Sequence, residues 1–278
     1  MNKTDLEIKL SNITIHAEEY FNNSSSDNFI FFLHGFTGSS QDWNEIVPLL
    51  NKRFNIIAID LIGHGKSSSP GDTNLYTAES ITEQIREVIL HYTNEPVIIA
   101  GYSMGGRAAL SFASRYPEML RGLILESTSA GINYPDLRKD RAEQDEKLAE
   151  FIETHSMEEF VDYWMNISLF ESQKKLPAKK LTTVRKSKLK NSRTGLANSL
   201  RGFSTGKMPA LNNDIHSINI TTLLISGSLD SKYTGINTEL FKSFPSATHI
   251  IIENAGHNVH LERPSLFIDV INDFLNKF

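Results

Sequence analysis

The sequence predicts an α/β protein in which a mostly parallel, doubly wound sheet carries an inserted helical cap. Short apolar strand patterns alternate with amphipathic helix patterns along most of the 278 residues, and this alternation is typical of parallel sheets. Between residues 129 and 212 the strand patterns stop. Because a structureless loop of that length is implausible inside a compact domain, we expect residues 129–212 to form the cap. Residues 1–128 and 213–278 would then form the core.

Individual segments predict the elements of this fold in turn. Residues 6–16 alternate apolar and polar side chains, as an amphipathic antiparallel strand or hairpin does. Four short apolar runs up to residue 126 suit buried strands, and they cover residues 29–33, 54–59, 97–100 and 122–126. Helical spacing of apolar residues occurs at Trp43, Ile46, Val47 and Leu50, over residues 77–91, and after residue 103. After the cap, strands at 221–227 and 248–253 precede a last helix, whose first turn suits Pro264.

Residues 97–107 are predicted to form a buried strand that turns sharply into a helix. The apolar run ends in Gly101-x-Ser103-x-Gly105. Such a turn crowds the backbone two residues before and two residues after the serine, where glycine fits. The turn raises the Ser103 oxygen above the sheet and directs the N–H of Met104 at the same space. Ser103 is therefore a candidate catalytic residue, and the Met104 N–H is a candidate oxyanion donor.

A reactive serine needs a histidine to accept its proton and a carboxylate to orient that histidine. The strand at 221–227 is followed by Asp230, and the strand at 248–253 is followed by His257. Because active sites of open α/β sheets lie beyond the carboxyl ends of the strands, we predict a triad of Ser103, Asp230 and His257. Asp214 is an alternative carboxylate. The glycine-rich loop after residue 33 brings a second candidate oxyanion donor, the N–H of Phe36.

Composition excludes several classes of function. The chain has no cysteine, so disulfides, thiolate catalysis and cysteine-ligated metals are excluded. The histidines lack paired ligand spacing and His64, between two glycines in a turn, is predicted to have a structural role. We therefore expect neither a metal nor an organic cofactor. The first residues contain no long apolar run, which predicts a cytoplasmic protein without a signal peptide or membrane span.

Positive charge is concentrated in one segment of an otherwise acidic chain. Residues 172–210 contain eleven Lys or Arg and no Asp or Glu, whereas the net charge of the whole chain is -5. We expect most of these lysines to lie on a solvated face. The acidic remainder argues against nucleic-acid binding. Arginines that face inward would attract a small polyanionic substrate into a cleft.

The motifs resemble those of the α/β-hydrolases along nearly the whole chain, and the order Ser103, Asp230, His257 is the order of that superfamily. More narrowly, the chain resembles the 2-succinyl-6-hydroxy-2,4-cyclohexadiene-1-carboxylate synthases, which are lyases of menaquinone biosynthesis. Arg107 beside the serine is part of this narrower resemblance. The stretches that carry it are GYSMGGRAAL, HGFTGSSQDW, GSLDSKY, GHNVHLERP and, in the cap, GLANSLRGFSTG.

This resemblance implies that the enzyme eliminates pyruvate from a small polycarboxylate, 2-succinyl-5-enolpyruvyl-6-hydroxy-3-cyclohexene-1-carboxylate. The triad would act as a base: Ser103 relays a proton to His257, Asp230 fixes the imidazole tautomer, and no acyl-enzyme forms. The N–H groups of Phe36 and Met104 would stabilise the succinyl ketone oxygen. By match to the family, the substrate-binding residues would be Tyr102, Arg107, Arg141, Trp164 and Arg185, with Lys188 as an alternative to Arg185.

Other interpretations stay open at the level of sequence. The same triad suits an esterase or a carbon–carbon bond hydrolase that acts on a small anionic substrate. A non-catalytic ligand-binding receptor of the same fold would need the pocket but no working triad. Among single residues, Arg107 could instead pair with a core carboxylate, and Trp164 could belong to the apolar core of the cap.

Overall fold

The computed structural model describes residues 2–22 and 27–278 of the chain. Within these residues, eight strands form one sheet: β1 (Asn2–Leu10), β2 (Ile13–Phe21), β3 (Phe29–Leu33), β4 (Asn55–Ile59), β5 (Val97–Tyr102), β6 (Leu120–Glu126), β7 (Thr221–Gly227) and β8 (Ala247–Ile252). Their spatial order is β1-β2-β4-β3-β5-β6-β7-β8. The pairs from β4 to β8 are parallel, and the pairs β1–β2 and β2–β4 are antiparallel. The predicted mostly parallel sheet is confirmed, and the predicted hairpin is β1–β2.

Nine α-helices occur in the described part of the chain. They are α1 (Ala78–Tyr92), α2 (Met104–Arg115), α3 (Pro135–Thr154), α4 (Met157–Met165), α5 (Ala178–Lys188), α6 (Arg193–Phe203), α7 (Ser231–Ser243), α8 (Val259–Glu262) and α9 (Pro264–Leu275). Helices α1, α2 and α9 begin close to the residues that the sequence indicates. Thr77 caps α1 by accepting from the Ser80 N–H, and Pro264 occupies the first turn of α9.

Helices cover both faces of the sheet, as a doubly wound fold requires. Successive side chains of a strand point to opposite faces, so the neighbours Phe31 and Phe32 of β3 belong to two different apolar clusters. Phe31 packs in the cluster that contains Ile85 of α1 and Phe112 of α2. Phe32 packs in the cluster that contains Phe267 of α9. The sheet therefore lies between two buried layers, and only its strand ends remain available for a site.

The helix predicted around residues 43–50 is not present as one regular helix. The structure has two short 3₁₀ turns there, Ser40–Trp43 and Val47–Leu49. Pro48 lacks the N–H that an α-helix needs in its interior, which explains the interruption. The four apolar side chains of this segment are nevertheless buried, so the prediction of a core-facing segment is correct.

Helices α3 to α6 lie between β6 and β7, where the sequence predicts a cap. They have their own apolar cluster, to which Ile152, Phe160 and Leu196 belong. Helix α6 lies directly on the core, since a Cβ atom on Gly195 would lie 2.2 Å from the carbonyl oxygen of Gly63. Helix α5, by contrast, contributes no buried residue. The cap boundaries at residues 129 and 212 remain a prediction.

The buried ring of His64 makes stability depend on pH. It lies in the loop after β4, where its Nδ1 is 3.1 Å from the carbonyl oxygen of Ile62, and burial lowers its pKa from 6.5 to about 3. In the unfolded chain the His64 imidazole takes up a proton near pH 6.5, whereas in the native state it stays neutral until about pH 3. The native state therefore loses stability as the pH falls from 6.5 towards 3. Through this residue we expect the free energy of unfolding to be about 2 kcal/mol lower at pH 5 than at pH 7. Urea titrations at both pH values measure the difference.

The His64→Gln variant is the control for this prediction. It removes the titrating group, so its stability should fall by about 2 kcal/mol less than that of the wild type between pH 7 and pH 5. Other buried histidines, such as His34, are present in both proteins, so their contribution to the pH dependence cancels in the comparison of wild type and variant. The same pH dependence in both proteins would contradict the assignment to His64.

Candidate active site

Ser103 stands at the turn between β5 and α2 in a strained backbone conformation. Its φ of 51° and ψ of -104° are unusual for a residue other than glycine. A Cβ atom on Gly101 would lie 2.3 Å from the Gly105 carbonyl oxygen, and one on Gly105 would lie 2.2 Å from the Leu33 carbonyl oxygen. Both glycines are therefore required for the turn, as the sequence predicts.

The structure brings the three predicted triad residues together. His257 Nε2 lies 3.0 Å from Ser103 Oγ, and His257 Nδ1 lies 2.7 Å from Asp230 Oδ2. With Nδ1 donating to the carboxylate, Nε2 is free to accept the serine proton. The second Asp230 oxygen accepts from the backbone N–H of Tyr233 at 3.1 Å. Asp214, the alternative carboxylate, is exposed on the surface and is not the partner of His257.

A second buried histidine–carboxylate pair lies next to the triad. Glu126, at the end of β6, accepts from the backbone N–H of His260 at 3.0 Å and lies 2.7 Å from its Nδ1. The Glu126 carbonyl accepts from the Ser103 N–H at 2.8 Å. The Tyr102 ring contacts the rings of both His257 and His260. This pair connects the serine turn to the histidine loop. Sequence reasoning missed it, although GHNVHLERP contains the second histidine.

The two candidate oxyanion donors lie on loops that the core holds in place. Met104 is the first residue of α2, and N–H groups of a first helical turn have no partner within the helix. Phe36 lies in the loop after β3. There the neighbouring His34 contacts the Gly35 carbonyl through Nδ1 at 2.8 Å and accepts from the Leu61 N–H through Nε2 at 3.0 Å. Both Phe36 and Met104 line the cavity above Ser103, and their role as donors remains a prediction.

A cavity of about 490 Å³ opens above the triad, between the core and the cap. Nine of the ten predicted site residues line it. They are Phe36, Tyr102, Ser103, Met104, Arg107, Arg141, Trp164, Asp230 and His257. This volume lies in the range that small-molecule sites have in proteins.

Arg107 is a buried cation that has no carboxylate partner among the residues described. Its Nη2 donates to the Phe203 carbonyl at 3.1 Å, and its guanidinium lies 5.6 Å from the centre of the Phe203 ring. Its Nε has no hydrogen bond in this part of the structure. Burial lowers its pKa from 12.5 to about 10. The alternative of a salt bridge to a core carboxylate is therefore not observed, and the guanidinium faces a cavity able to hold an anion.

Arg141 and Trp164 enter the cavity from the cap. Arg141 donates through Nε to both oxygens of the buried Asp145, at 2.9 and 2.8 Å, which fixes the direction of the guanidinium. The Trp164 ring centre lies 5.2 Å from that of Phe36 and 5.8 Å from that of Phe170. Trp164 thus belongs both to the apolar packing of the cap and to the wall of the cavity.

Arg185 does not line the cavity, contrary to its predicted place. It pairs instead with Asp162 of α4, with Nε–Oδ1 and Nη2–Oδ2 distances of 2.6 and 2.9 Å. This pair lies on the outer surface of the cap, where both side chains are more than a third exposed. Lys188, the alternative, is also outside the cavity lining, and its Nζ donates to Thr37 Oγ1 at 2.8 Å. A third cation, Lys232, does line the cavity, and sequence patterns gave no indication of it.

Tyr233 is a further cavity residue that sequence reasoning missed. Its ring centre lies 4.4 Å from that of His257. The side chain is buried, yet its hydroxyl makes no hydrogen bond within residues 2–22 and 27–278 and lies on the cavity wall with Arg107 and Arg141. The sequence signal for Tyr233 lies in the motif GSLDSKY, where the tyrosine follows Asp230 by three residues.

Residues 2–22 and 27–278 contain neither a metal-binding cluster nor a membrane-spanning helix. No group of three or more His, Cys, Asp or Glu side chains in this part is arranged to hold a metal ion. No helix there is both long enough and apolar enough to cross a membrane.

Comparison with known proteins identifies the family. A model described as the alpha/beta hydrolase fold matches residues 28–264. The chain is 41% identical over 243 residues to the Bacillus subtilis protein named "Putative 2-succinyl-6-hydroxy-2,4-cyclohexadiene-1-carboxylate synthase", which covers 87% of this chain and 88% of that protein. The chain belongs to the 2-succinyl-6-hydroxy-2,4-cyclohexadiene-1-carboxylate synthase family of the alpha/beta hydrolase fold.

Two further relatives agree with this assignment. The synthase of the same name from Enterobacter sp. (strain 638) is 28% identical over 237 residues, which are 85% of this chain and 87% of that protein. The solved structure of MenH from S. aureus superposes with a TM-score of 0.90 at 31% identity and covers 94% of this chain and 98% of that chain. The synthase family assignment and the α/β-hydrolase fold predicted from sequence are thus confirmed, and the protein is an enzyme of this lyase family.

Proposed function

We propose that this enzyme eliminates pyruvate from 2-succinyl-5-enolpyruvyl-6-hydroxy-3-cyclohexene-1-carboxylate to give 2-succinyl-6-hydroxy-2,4-cyclohexadiene-1-carboxylate, a cytoplasmic step of menaquinone biosynthesis. The observation that carries this proposal is that the guanidinium of Arg107 is buried beside Ser103 and pairs with no carboxylate of the described residues. A desolvated cation without a counter-ion costs several kcal/mol, so this site suits an anionic substrate. A cavity for neutral esters would be apolar at this place.

The charges of the cavity match those of the proposed substrate. The substrate carries three carboxylates, on the ring, the succinyl group and the enolpyruvyl group. The cavity lining offers three cations, Arg107, Arg141 and Lys232. Asp145 already neutralises the Nε side of Arg141 but leaves its terminal nitrogens for a ligand. The third cation is thus Lys232 of the core rather than Arg185 of the cap.

The triad geometry supports proton abstraction from the carbon that bears the succinyl group. Ser103 Oγ takes this proton as its own passes to His257 Nε2, 3.0 Å away. The C–H electron pair forms the new 2,3 double bond, the 3,4 pair moves to 4,5, and the bond to the enolpyruvyl oxygen breaks. The leaving enolate takes up a proton and becomes pyruvate. The N–H groups of Phe36 and Met104 stabilise the charge that develops on the succinyl ketone oxygen.

Tyr233 supplies a neutral hydrogen-bond donor to the same anionic substrate. Replacing it with Phe keeps the ring that packs on His257 and removes only the hydroxyl. We expect Tyr233→Phe to raise KM about tenfold, because one hydrogen bond to a carboxylate is lost, while kcat changes less than threefold. Steady-state kinetics of pyruvate release measure both constants. Tyr163→Phe, at an exposed tyrosine of α4, is the matched control. An unchanged KM in Tyr233→Phe would remove the hydroxyl from substrate binding.

A direct comparison of substrates tests the proposed function. Pyruvate release from the enolpyruvyl cyclohexene substrate is followed through coupled lactate dehydrogenase, and p-nitrophenyl acetate cleavage is measured in parallel. We expect rapid pyruvate release that is lost in Ser103→Ala, with slow ester cleavage. Rapid ester cleavage without pyruvate release would instead establish an esterase that uses the same triad.

A further inference from the structure

A second cavity, of about 600 Å³, lies outside the triad cavity and shares none of its lining residues. It lies between helix α5 of the cap and two core segments, residues 41–45 and 258–261. Five lysines line it: Lys179, Lys180, Lys186, Lys188 and Lys190. We call this cavity the lysine groove. It is a concave site at the junction of cap and core, and three of its lysines, Lys179, Lys186 and Lys190, are exposed to solvent.

The lysine groove has an excess of positive charge. Asp42 and Glu45 are the acidic residues of its lining, and Glu45 pairs with Lys180 at 2.7 Å. Five lysines against two carboxylates leave three positive charges. Charges of one sign in a concave space attract a counter-ion more strongly than the same charges on an open surface.

Three of the basic residues of the segment 172–210 that lie outside the groove form ion pairs. Arg185 pairs with Asp162, Lys174 pairs with Glu171, and Arg201 pairs with two glutamates of α3. By contrast, Lys179, Lys186, Lys188 and Lys190 form no ion pair with the described residues of the chain. Seven Lys or Arg residues of this segment form no ion pair with the described residues, and four of them line the groove, which the proposed lyase function does not use. The other three, Lys175, Arg193 and Lys207, lie outside it.

The shape and the apolar part of the lining limit what fits. Pro177, Val184 and Leu261 also line the groove, and its volume suits one small molecule. We propose that the lysine groove is a second binding site, for a small organic anion that carries two or three carboxylates on a compact ring. The carboxylates would meet the lysine ammonium groups, and the ring would contact the apolar side chains.

Lys188 joins this site to the loop of the candidate oxyanion donor. Its Nζ donates to Thr37 Oγ1 at 2.8 Å, and Thr37 directly follows Phe36. Burial lowers the pKa of Lys188, and Asp42 opposes this effect, so an anion nearby would favour its charged form. A bound anion would compete with Thr37 for the Lys188 ammonium group.

Isothermal titration of the full-length protein with benzene-1,3,5-tricarboxylate tests the proposal. The double variant Lys186→Gln/Lys190→Gln removes two charges from the groove and none from the triad cavity. The double variant Lys175→Gln/Lys207→Gln is the matched control, because both lysines are exposed, belong to the same basic segment and lie outside the groove. All titrated proteins also carry Arg107→Gln, which removes the buried cation of the triad cavity. The protein with Arg107→Gln alone is the background with which both double variants are compared.

We expect the groove variant to bind the tricarboxylate about tenfold more weakly than its background, and the control variant to bind within twofold of it. Equal weakening in both variants, or no binding to the background protein at millimolar concentrations, would overturn the proposal. Inorganic pyrophosphate is titrated in the same way, and binding of pyrophosphate alone would overturn the assignment to carboxylates. The readout is binding rather than turnover, so failure here is distinct from failure of the proposed lyase activity.

Discussion

We expect the replacement of Asp230 by Asn to lower kcat for pyruvate release by about four orders of magnitude. The carboxylate accepts from His257 Nδ1 at 2.7 Å, which leaves Nε2 unprotonated and facing Ser103 Oγ. An amide nitrogen at this place would donate to Nδ1 instead and favour the other tautomer, whose Nε2 carries a proton. Ser103 would then have no acceptor for its proton. Single-turnover and steady-state pyruvate release measure the loss.

Asp214→Asn is the control for this prediction, because Asp214 is exposed and was the alternative carboxylate. It should leave kcat within twofold of the wild type. Thermal unfolding verifies that Asp230→Asn still folds. Turnover close to the wild type in Asp230→Asn would contradict the triad assignment and would indicate that another group orients His257.

We expect the replacement of Arg107 by Met to raise KM about a hundredfold and to leave the protein at least as stable as the wild type. The loss of affinity follows because a charged hydrogen-bond donor to a substrate carboxylate contributes about 3 kcal/mol. The gain in stability follows because the buried guanidinium has no carboxylate partner among the described residues, and burial lowers its pKa to about 10. That shift corresponds to a cost of roughly 3 kcal/mol in the ligand-free protein, which an apolar side chain does not incur.

Arg185→Met is the matched control for this arginine. Arg185 is partly exposed and paired with Asp162 outside the cavity, so its replacement should change KM less than threefold and should not stabilise the protein. The two variants are compared by steady-state kinetics and by urea unfolding without substrate. If Arg107→Met had a normal KM, or if Arg185→Met had the larger KM, the account of the cavity charges would be wrong.

The proximity of Ser103, Asp230 and His257 could be predicted from sequence because these residues follow recognisable strands. Ser103 stands in a turn that requires its two glycines, because a Cβ atom on Gly101 or Gly105 would overlap a backbone carbonyl oxygen. Asp230 and His257 follow β7 and β8, which are neighbours in the sheet. In a parallel sheet the ends of such strands meet at one edge. The spacing of strands along the chain therefore determines which side chains come together there.

The cap residues were harder to predict because no sheet fixes their positions. The direction of Arg185 depends on a surface pair with Asp162 of another helix, and sequence spacing does not reveal such a pair. Tyr233 and Glu126 were missed for another reason. Their contacts to His257 and His260 depend on the packing of side chains at the strand ends, and single-sequence patterns do not specify that packing. The helix predicted around residues 43–50 is interrupted because Pro48 lacks a backbone N–H.

Whether the triad promotes elimination or hydrolysis can be decided from the ratio of two products. Pyruvate is measured through lactate dehydrogenase, and the ring product is measured in the same incubation by the near-ultraviolet absorbance of its conjugated diene. Elimination would give one diene for each pyruvate in the wild type, and we expect neither product in Ser103→Ala. Pyruvate released without the diene would mean that water cleaves the enolpyruvyl group, which would contradict the proposed elimination.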